Sequence, residues 1–166
     1  MFDRSYSFDI QHPEDHWWFT QMVLKDASLF RMHIIRKNRS DNLLGLDVDQ
    51  YEFNFDRGSV NTPENLKHTL TFPNGMGDAM RIYSTVYRFC KTFVITHNPD
   101  VFGWGAGTDK TLRIYSKLGQ KWYKDKAYGY HPVQIIQTPC SIGNAVLGIK
   151  KELLENISDE YEYQKI

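Results

Sequence analysis

Apolar and polar residues alternate along much of the first 72 residues, a pattern that predicts β-strands. Tyr6, Phe8 and Ile10 fall on one side of the first predicted strand. Four more strands are predicted at residues 17–23, 29–35, 44–55 and 66–72. This half of the chain is therefore expected to be rich in strands.

The apolar spacing changes after the Pro- and Gly-containing turn at residues 73–78. Ile82, Val86, Phe89 and Phe93 recur at intervals of four, three and four residues, which predicts an amphipathic helix. A short buried strand follows at residues 101–104.

A second helix is predicted from Thr108 or Asp109, with Leu112, Tyr115 and Leu118 on one face. Gly119 is the expected residue just beyond its end, because glycine commonly terminates helices.

Strands at 121–123 and 133–136 are expected next, and a last helix after Ser141. Its inward residues would be Ile142, Val146, Ile149 and Leu153. These elements predict an α+β fold: a mostly antiparallel mixed sheet with two packed helices, plus a C-terminal helix.

A chain of 166 residues is expected to form a single domain. Within it, residues 1–72 form the strand-rich half, 73–137 a helix–strand–helix–strands segment, and 138–166 the C-terminal helix and tail.

Charge excludes some partners. Twenty Lys and Arg balance twenty Asp and Glu, which argues against a broad surface for nucleic acid or a membrane. No long apolar run indicates a signal peptide or a membrane span, so a cytoplasmic location is expected.

The metal and thiol signals are weak. His12 and His16 lie four residues apart without an evident third ligand, so no metal site is predicted. Cys90 lies in the apolar pattern of the first helix and is expected to be a buried thiol, and whether it pairs with Cys140 stays open.

Two local motifs resemble the GNAT N-acetyltransferase superfamily over residues 69–137. The first is Phe72-Pro73-Asn74-Gly75-Met76-Gly77, similar to the family's Q/R-x-x-G-x-G/A turn but without the leading polar residue. The resemblance implies that Gly75, Met76 and Gly77 hold the pyrophosphate of acetyl-CoA, although the neighbouring Asp78 would repel it.

The second motif is the stretch from Thr108 to Gln120, similar to the family's N-x-x-A-x-x-L-Y-x-x-L-G-F. Tyr115, Leu118 and Gly119 match, whereas Thr108 and Gln120 depart from it. The resemblance implies Thr108 in cofactor binding and Tyr115 as the general acid for the departing thiolate. A base would come from Glu52, His68 or Asp47. Some small proteins encoded by phages and mobile elements look similar, so a phage origin, with a bacterial host's cytoplasm as the location, is part of the expectation.

Two functions follow. The first is a non-catalytic interaction or accessory protein on a divergent GNAT-like fold, which the degraded phosphate turn favours. The alternative is an acyl-CoA-dependent N-acetyltransferase. Under the first hypothesis, Trp17 and Trp18 are candidate anchors for a protein partner, because alternation sends them to opposite faces of a strand. Self-association through edge strands and aromatic residues is a further expectation.

Overall fold

The computed structural model describes residues 5–37, 46–59, 62–68, 76–105, 109–124, 129–138 and 141–166. The chain divides into two compact units, which we call unit 1 (Met1–Ile35 and Asn54–Asn98) and unit 2 (Arg36–Phe53 and Pro99–Ile166). Their elements confirm an α+β protein with a mostly antiparallel mixed sheet. That the chain is a single domain stays a prediction.

Unit 1 contains three complete strands, parts of two others and one helix. Strand β4 (Gln50–Ser59) enters it at Asn54. Strand β2 pairs antiparallel with both β1 and β3, and β5 pairs antiparallel with β4. The other elements are β1 (Gln11–Glu14), β2 (Trp17–Val23), β3 (Ser28–Lys37), β5 (Thr62–His68) and α1 (Met76–His97).

Helix α1 contributes one side of the core of unit 1. The four residues of its predicted apolar stripe, Ile82, Val86, Phe89 and Phe93, are all buried, which confirms that pattern. The β-branched residues near its end stay helical, and the helix stops where Asn98 adopts a left-handed φ of 47°. The main-chain N–H of Asn98 donates to the carbonyl of Val94 there. Cys90 is buried on α1, as predicted.

The segment at residues 5–10 has no strand pairing, so the first predicted strand is wrong. Its side chains pack on α1 instead. The main-chain N–H of Tyr6 donates to Thr85 Oγ1 at 2.7 Å, and its hydroxyl donates to Asp78 Oδ1 at 2.5 Å. The ring of Phe8 packs edge-on against Phe89 at 5.7 Å. The alternation of residues 5–10 therefore reflects which side chains face α1, although their backbone pairs with no strand.

Unit 2 contains the first part of β4, four further strands and one helix. Strand β4 pairs parallel with β6, and the β6–β8, β8–β7 and β7–β9 pairs are antiparallel. The helix α2 packs on β7 and β8. The elements are β6 (Val101–Gly105), α2 (Asp109–Lys124), β7 (Tyr130–Thr138), β8 (Ser141–Lys150), a 3₁₀ helix (Lys151–Asn156) and β9 (Glu162–Lys165).

Gly119 lies inside α2, so its predicted role as the helix terminator is wrong, as is the strand predicted at 121–123. A Cβ on Gly119 would lie 3.1 Å from Val146 Cγ1 and 3.2 Å from Pro132 Cβ. The missing side chain therefore lets α2 approach its sheet closely. The neighbouring Leu118 is buried on the same helix.

The predicted C-terminal helix is wrong, because residues 141–150 form strand β8. Val146 and Ile149 are both buried, and each side of this strand packs against protein, so its apolar residues do not follow a single period. The two glycines of this segment, Gly143 and Gly148, would each weaken a helix by about 1 kcal/mol relative to alanine. Helical backbone appears only afterwards, as the 3₁₀ helix within the part of the tail that is described.

Neither α-helix in the described ranges is both long and apolar enough to cross a bilayer.

Candidate functional site

The outer face of unit 1 carries the candidate site. We define it as the side of β2, β3 and β4 that bears Trp17, Phe19, His33 and Asp56. Alternation creates it: Trp18, Thr20 and Met22 of β2 are buried on the opposite side, where the Trp18 ring meets Phe93 of α1 at 5.1 Å. The residues between them point outward, and Val23, at the far end of β2, is 58% exposed.

Three rings lie side by side on the outer face. Strand pairing places Phe19 opposite His33 and Trp17 opposite Ile35. The Trp17 ring stacks on Phe19 with centroids 5.0 Å apart and on His33 at 6.0 Å, with interplanar angles of 18° and 17°. Cross-strand aromatic pairs of this kind stabilise a sheet and fix the ring orientations.

A chain of hydrogen bonds joins Trp17, His33 and Asp56. Trp17 Nε1 donates to His33 Nδ1 at 3.1 Å, and His33 Nε2 lies 2.8 Å from Asp56 Oδ2. Because an indole nitrogen only donates, His33 Nδ1 must present its lone pair, and Nε2 then carries the proton and donates to the carboxylate. The His33 and Asp56 side chains are only 12% and 13% exposed.

This arrangement limits the chemistry of His33. In an Asp–His–nucleophile triad, the free imidazole nitrogen accepts a proton from a hydroxyl or thiol. Here that nitrogen accepts the Trp17 N–H, which is no nucleophile. The pair orients an aromatic side chain, and it does not activate an attacking group.

A cavity of about 300 Å³ opens beside these groups. A cavity of this size lies at the lower end of the range for small-ligand sites and suits a single side chain. The described residues that line it all belong to unit 1: His16, Trp17, His33, Ile35, Asn54 and Asp56.

The two predicted tryptophan anchors differ in their exposure to solvent. Trp17 lines the cavity and is only partly buried. Trp18 is 6% exposed, stacked on His12 at 4.2 Å and packed edge-on against Phe93 and His97. An anchor must present its ring to solvent, so of these two tryptophans only Trp17 has the expected exposure.

Tyr115 is buried in unit 2, where its ring stacks on Trp104 at 6.0 Å. It is 6% exposed, so the proposed general acid has little access to a bound thioester. Among the candidate bases, Glu52 forms an ion pair with Lys37 at 2.5 Å and Asp47 is exposed. His68 belongs to β5.

The predicted cofactor-binding residues lie partly outside the described ranges, which include neither Gly75 of the phosphate turn nor Thr108. Met76 and Gly77 begin α1 in unit 1. The Asp78 carboxylate, in the first turn of that helix, accepts the hydroxyl of Tyr6. Tyr115 belongs to unit 2, and so the predicted acid and the predicted turn lie in separate units.

Sequence reasoning does not identify His33, Asn54 or Asp56 as site residues. The strand predicted at residues 44–55 stops short of Asp56, whereas β4 continues through Asp56 to Ser59. The available signal was the spacing of Asn54 and Asp56, which puts both side chains on one face of an extended strand. The partner strand that brings His33 beside them is not encoded in any local motif.

Within the described ranges, no group of three or more His, Cys, Asp and Glu is arranged to hold a metal ion. No family model matches the chain, and neither a curated protein nor a solved structure matches it.

Proposed function

We propose that this chain is a non-catalytic interaction protein and that its partner binds the outer face of unit 1 around Trp17. The observation that carries the proposal is the state of the Trp17 ring. It is partly exposed, stacked on Phe19 and His33, hydrogen-bonded through its N–H, and placed at a cavity. Rigid, partly buried tryptophans of this kind dominate the binding energy of protein interfaces.

Two observations favour recognition over catalysis. The lone pair of His33 Nδ1 is taken by the Trp17 N–H, so His33 offers no base to a substrate. Tyr115, the acid required by the alternative acetyltransferase, is stacked and buried. The alternative rests on the sequence match of Tyr115, Leu118 and Gly119.

The proposal includes a divergent GNAT-like fold over residues 69–137 and a phage origin, which rest on the sequence resemblance, and a cytoplasmic location, which is expected because the sequence has no long apolar run. The proposal also includes self-association, in which the partner is a second copy of the chain. The partner is a protein, because the balanced charge does not favour a polyanion.

Affinity capture from host-cell lysate tests the proposal with three proteins: wild type, Trp17→Ala and Met80→Ala. Met80 is 61% exposed on α1, away from the outer face, so it controls for loss of an exposed apolar side chain. We expect a specific partner with wild type and Met80→Ala, and its loss with Trp17→Ala. Sedimentation of wild type and Trp17→Ala tests whether that partner is a second copy.

If Trp17→Ala unfolds by circular dichroism, Gln21→Glu replaces it, because Gln21 is exposed on the same face. Identical sets of captured proteins for wild type and a folded outer-face variant, with no difference in sedimentation, would refute the proposal.

A further inference from the structure

We propose that protonation of His33 releases the Trp17 side chain from its hydrogen bond, so that acid weakens binding at the outer face. This inference rests on the proposed function and adds the regulation of the same site. It is carried by the hydrogen-bond chain from Trp17 through His33 to Asp56, and by the donors and acceptors that these three side chains possess.

The hydrogen bond that orients Trp17 exists only while His33 is neutral. A neutral imidazole has one donor and one acceptor, and His33 uses both. Its Nδ1 accepts the Trp17 N–H at 3.1 Å, and its Nε2 donates to Asp56 Oδ2 at 2.8 Å. A proton can therefore bind Nδ1 only by displacing the Trp17 N–H.

The protonated imidazole cannot keep both contacts. With a proton on Nδ1, two N–H groups would face each other, and an indole nitrogen has no lone pair with which to accept a hydrogen bond. The contact from Nε2 to Asp56 Oδ2 stays the same pair of atoms and becomes stronger, because the donor is then charged. Asp56 thus holds the imidazolium in place, and Trp17 is the group that moves.

Charged and titratable residues on the surrounding elements set the pH of this change. They are Asp56 on β4, Arg31 two residues from His33 on β3, His16 just before β2 and at the same cavity, and His68 on β5, which pairs with Asp56 in the strand register. Their charges alter how readily His33 takes up a proton. They do not alter which atoms face its two ring nitrogens.

Solvent protons can reach His33, because its side chain is 12% exposed and lines the cavity. Histidine ordinarily changes charge between about pH 5 and about pH 8. Binding at the outer face should therefore be strongest at the upper end of this range and weaken as the pH falls. A partner must then order a loosened side chain, which lowers its affinity by about two- to tenfold.

NMR of the ¹⁵N-labelled full chain between about pH 8 and about pH 5 tests the release directly. The scalar coupling between Trp17 Nε1 and His33 Nδ1, transmitted through their hydrogen bond, reports the contact, and the ring signals of His33 report its charge. We expect the coupling at about pH 8 and its loss at about pH 5, with the Trp17 indole signal and the His33 ring signals changing at one midpoint.

Three variants assign the transition to one histidine. His33→Gln should abolish the pH dependence of the Trp17 indole signal, since an amide does not titrate. His16→Gln and His68→Gln are the matched controls and should keep it. If His33→Gln fails to fold by circular dichroism, the shared midpoint and the loss of coupling in wild type decide alone.

Sedimentation and affinity capture at the two ends of the pH range connect the release to binding. We expect Trp17-dependent capture or self-association to fall at the acid end in wild type, and to be independent of pH in His33→Gln. A Trp17 signal and coupling that stay unchanged while His33 titrates would overturn the inference, as would a His33 that stays neutral until the chain unfolds.

The two proposals fail in different ways. Trp17-dependent binding of equal strength at both ends of the pH range would refute the regulation and leave the proposed function standing. Release of Trp17 on protonation of His33, without Trp17-dependent capture or self-association at either pH, would support the release and refute the proposed function.

Discussion

In the sheet of unit 2, close packing leaves no room for a side chain at some positions, and Gly148 is one of them. A Cβ at this position would lie 2.4 Å from Cζ of Phe102, on the neighbouring strand β6. Phe102 is fully buried, with its ring against Trp104 and Tyr130, so it has little room to move. Gly148 is therefore required by the ring opposite it.

We expect Gly148→Ala to lower the free energy of unfolding by about 1–3 kcal/mol, the usual cost of overfilling a packed core. Urea denaturation measures the change. Gly105→Ala is the matched control, because a Cβ on Gly105 would meet nothing within 4 Å. Equal stabilities for the two variants would contradict the close contact.

Individual residues also show why the candidate site could be predicted only in part from the sequence. Trp17 could be identified because a large aromatic residue next to another one, in a strand, must leave one ring on each face. His33 and Asp56 could not, because their role depends on a 2.8 Å contact between residues 23 positions apart. Single residues of these types have no distinguishing local pattern.

At the scale of elements, the N-terminal segment is held to α1 by side-chain contacts and by one main-chain N–H, without strand pairing. Tyr6 is its fixed point: its hydroxyl donates to Asp78 and accepts the main-chain N–H of Lys25, and Arg81 lies over its ring at 3.7 Å. Burial, followed by the hydrogen bond to Asp78, raises the pKa of Tyr6.

Tyr6→Phe should therefore release residues 5–10 and lower the free energy of unfolding by about 1.5–3 kcal/mol, the range for a hydrogen bond to a charged group. Hydrogen exchange of the segment and chemical denaturation report the two effects. Tyr83→Phe on α1 is the control, since burial raises the pKa of Tyr83 but its hydroxyl has no hydrogen-bond partner among the described residues. Unchanged exchange at residues 5–10 would count against the role of Tyr6.

Elements that bury one face could be predicted from the sequence. Strand β2 and the apolar stripe of α1 follow their expected periods, because one side of each meets the core and the other meets solvent. Strand β8 is covered on both sides, so its apolar residues also fit a helical spacing by chance. Gly119 was misassigned because close packing and helix termination both select glycine.

At the scale of the whole molecule, the two candidate functions differ in their ligand. We expect calorimetric titration with acetyl-CoA to give no heat up to millimolar concentrations. Two features oppose binding. At the start of α1, the Asp78 carboxylate would repel the pyrophosphate of acetyl-CoA. Tyr115 is 6% exposed, so its hydroxyl has little access to a bound thioester.

A GNAT enzyme of established activity, titrated under the same conditions, serves as the positive control. Micromolar binding of acetyl-CoA that weakens in Gly77→Asp would contradict the expectation and favour the acetyltransferase.

The hydrogen bond between Trp17 and His33 has a kinetic consequence. A side chain that is already held in one rotamer has little conformational freedom left to lose when a partner arrives. Association at the outer face should then proceed at a rate set by encounter and orientation, without a slow rearrangement step. Differences in affinity among partners would consequently appear as differences in residence time.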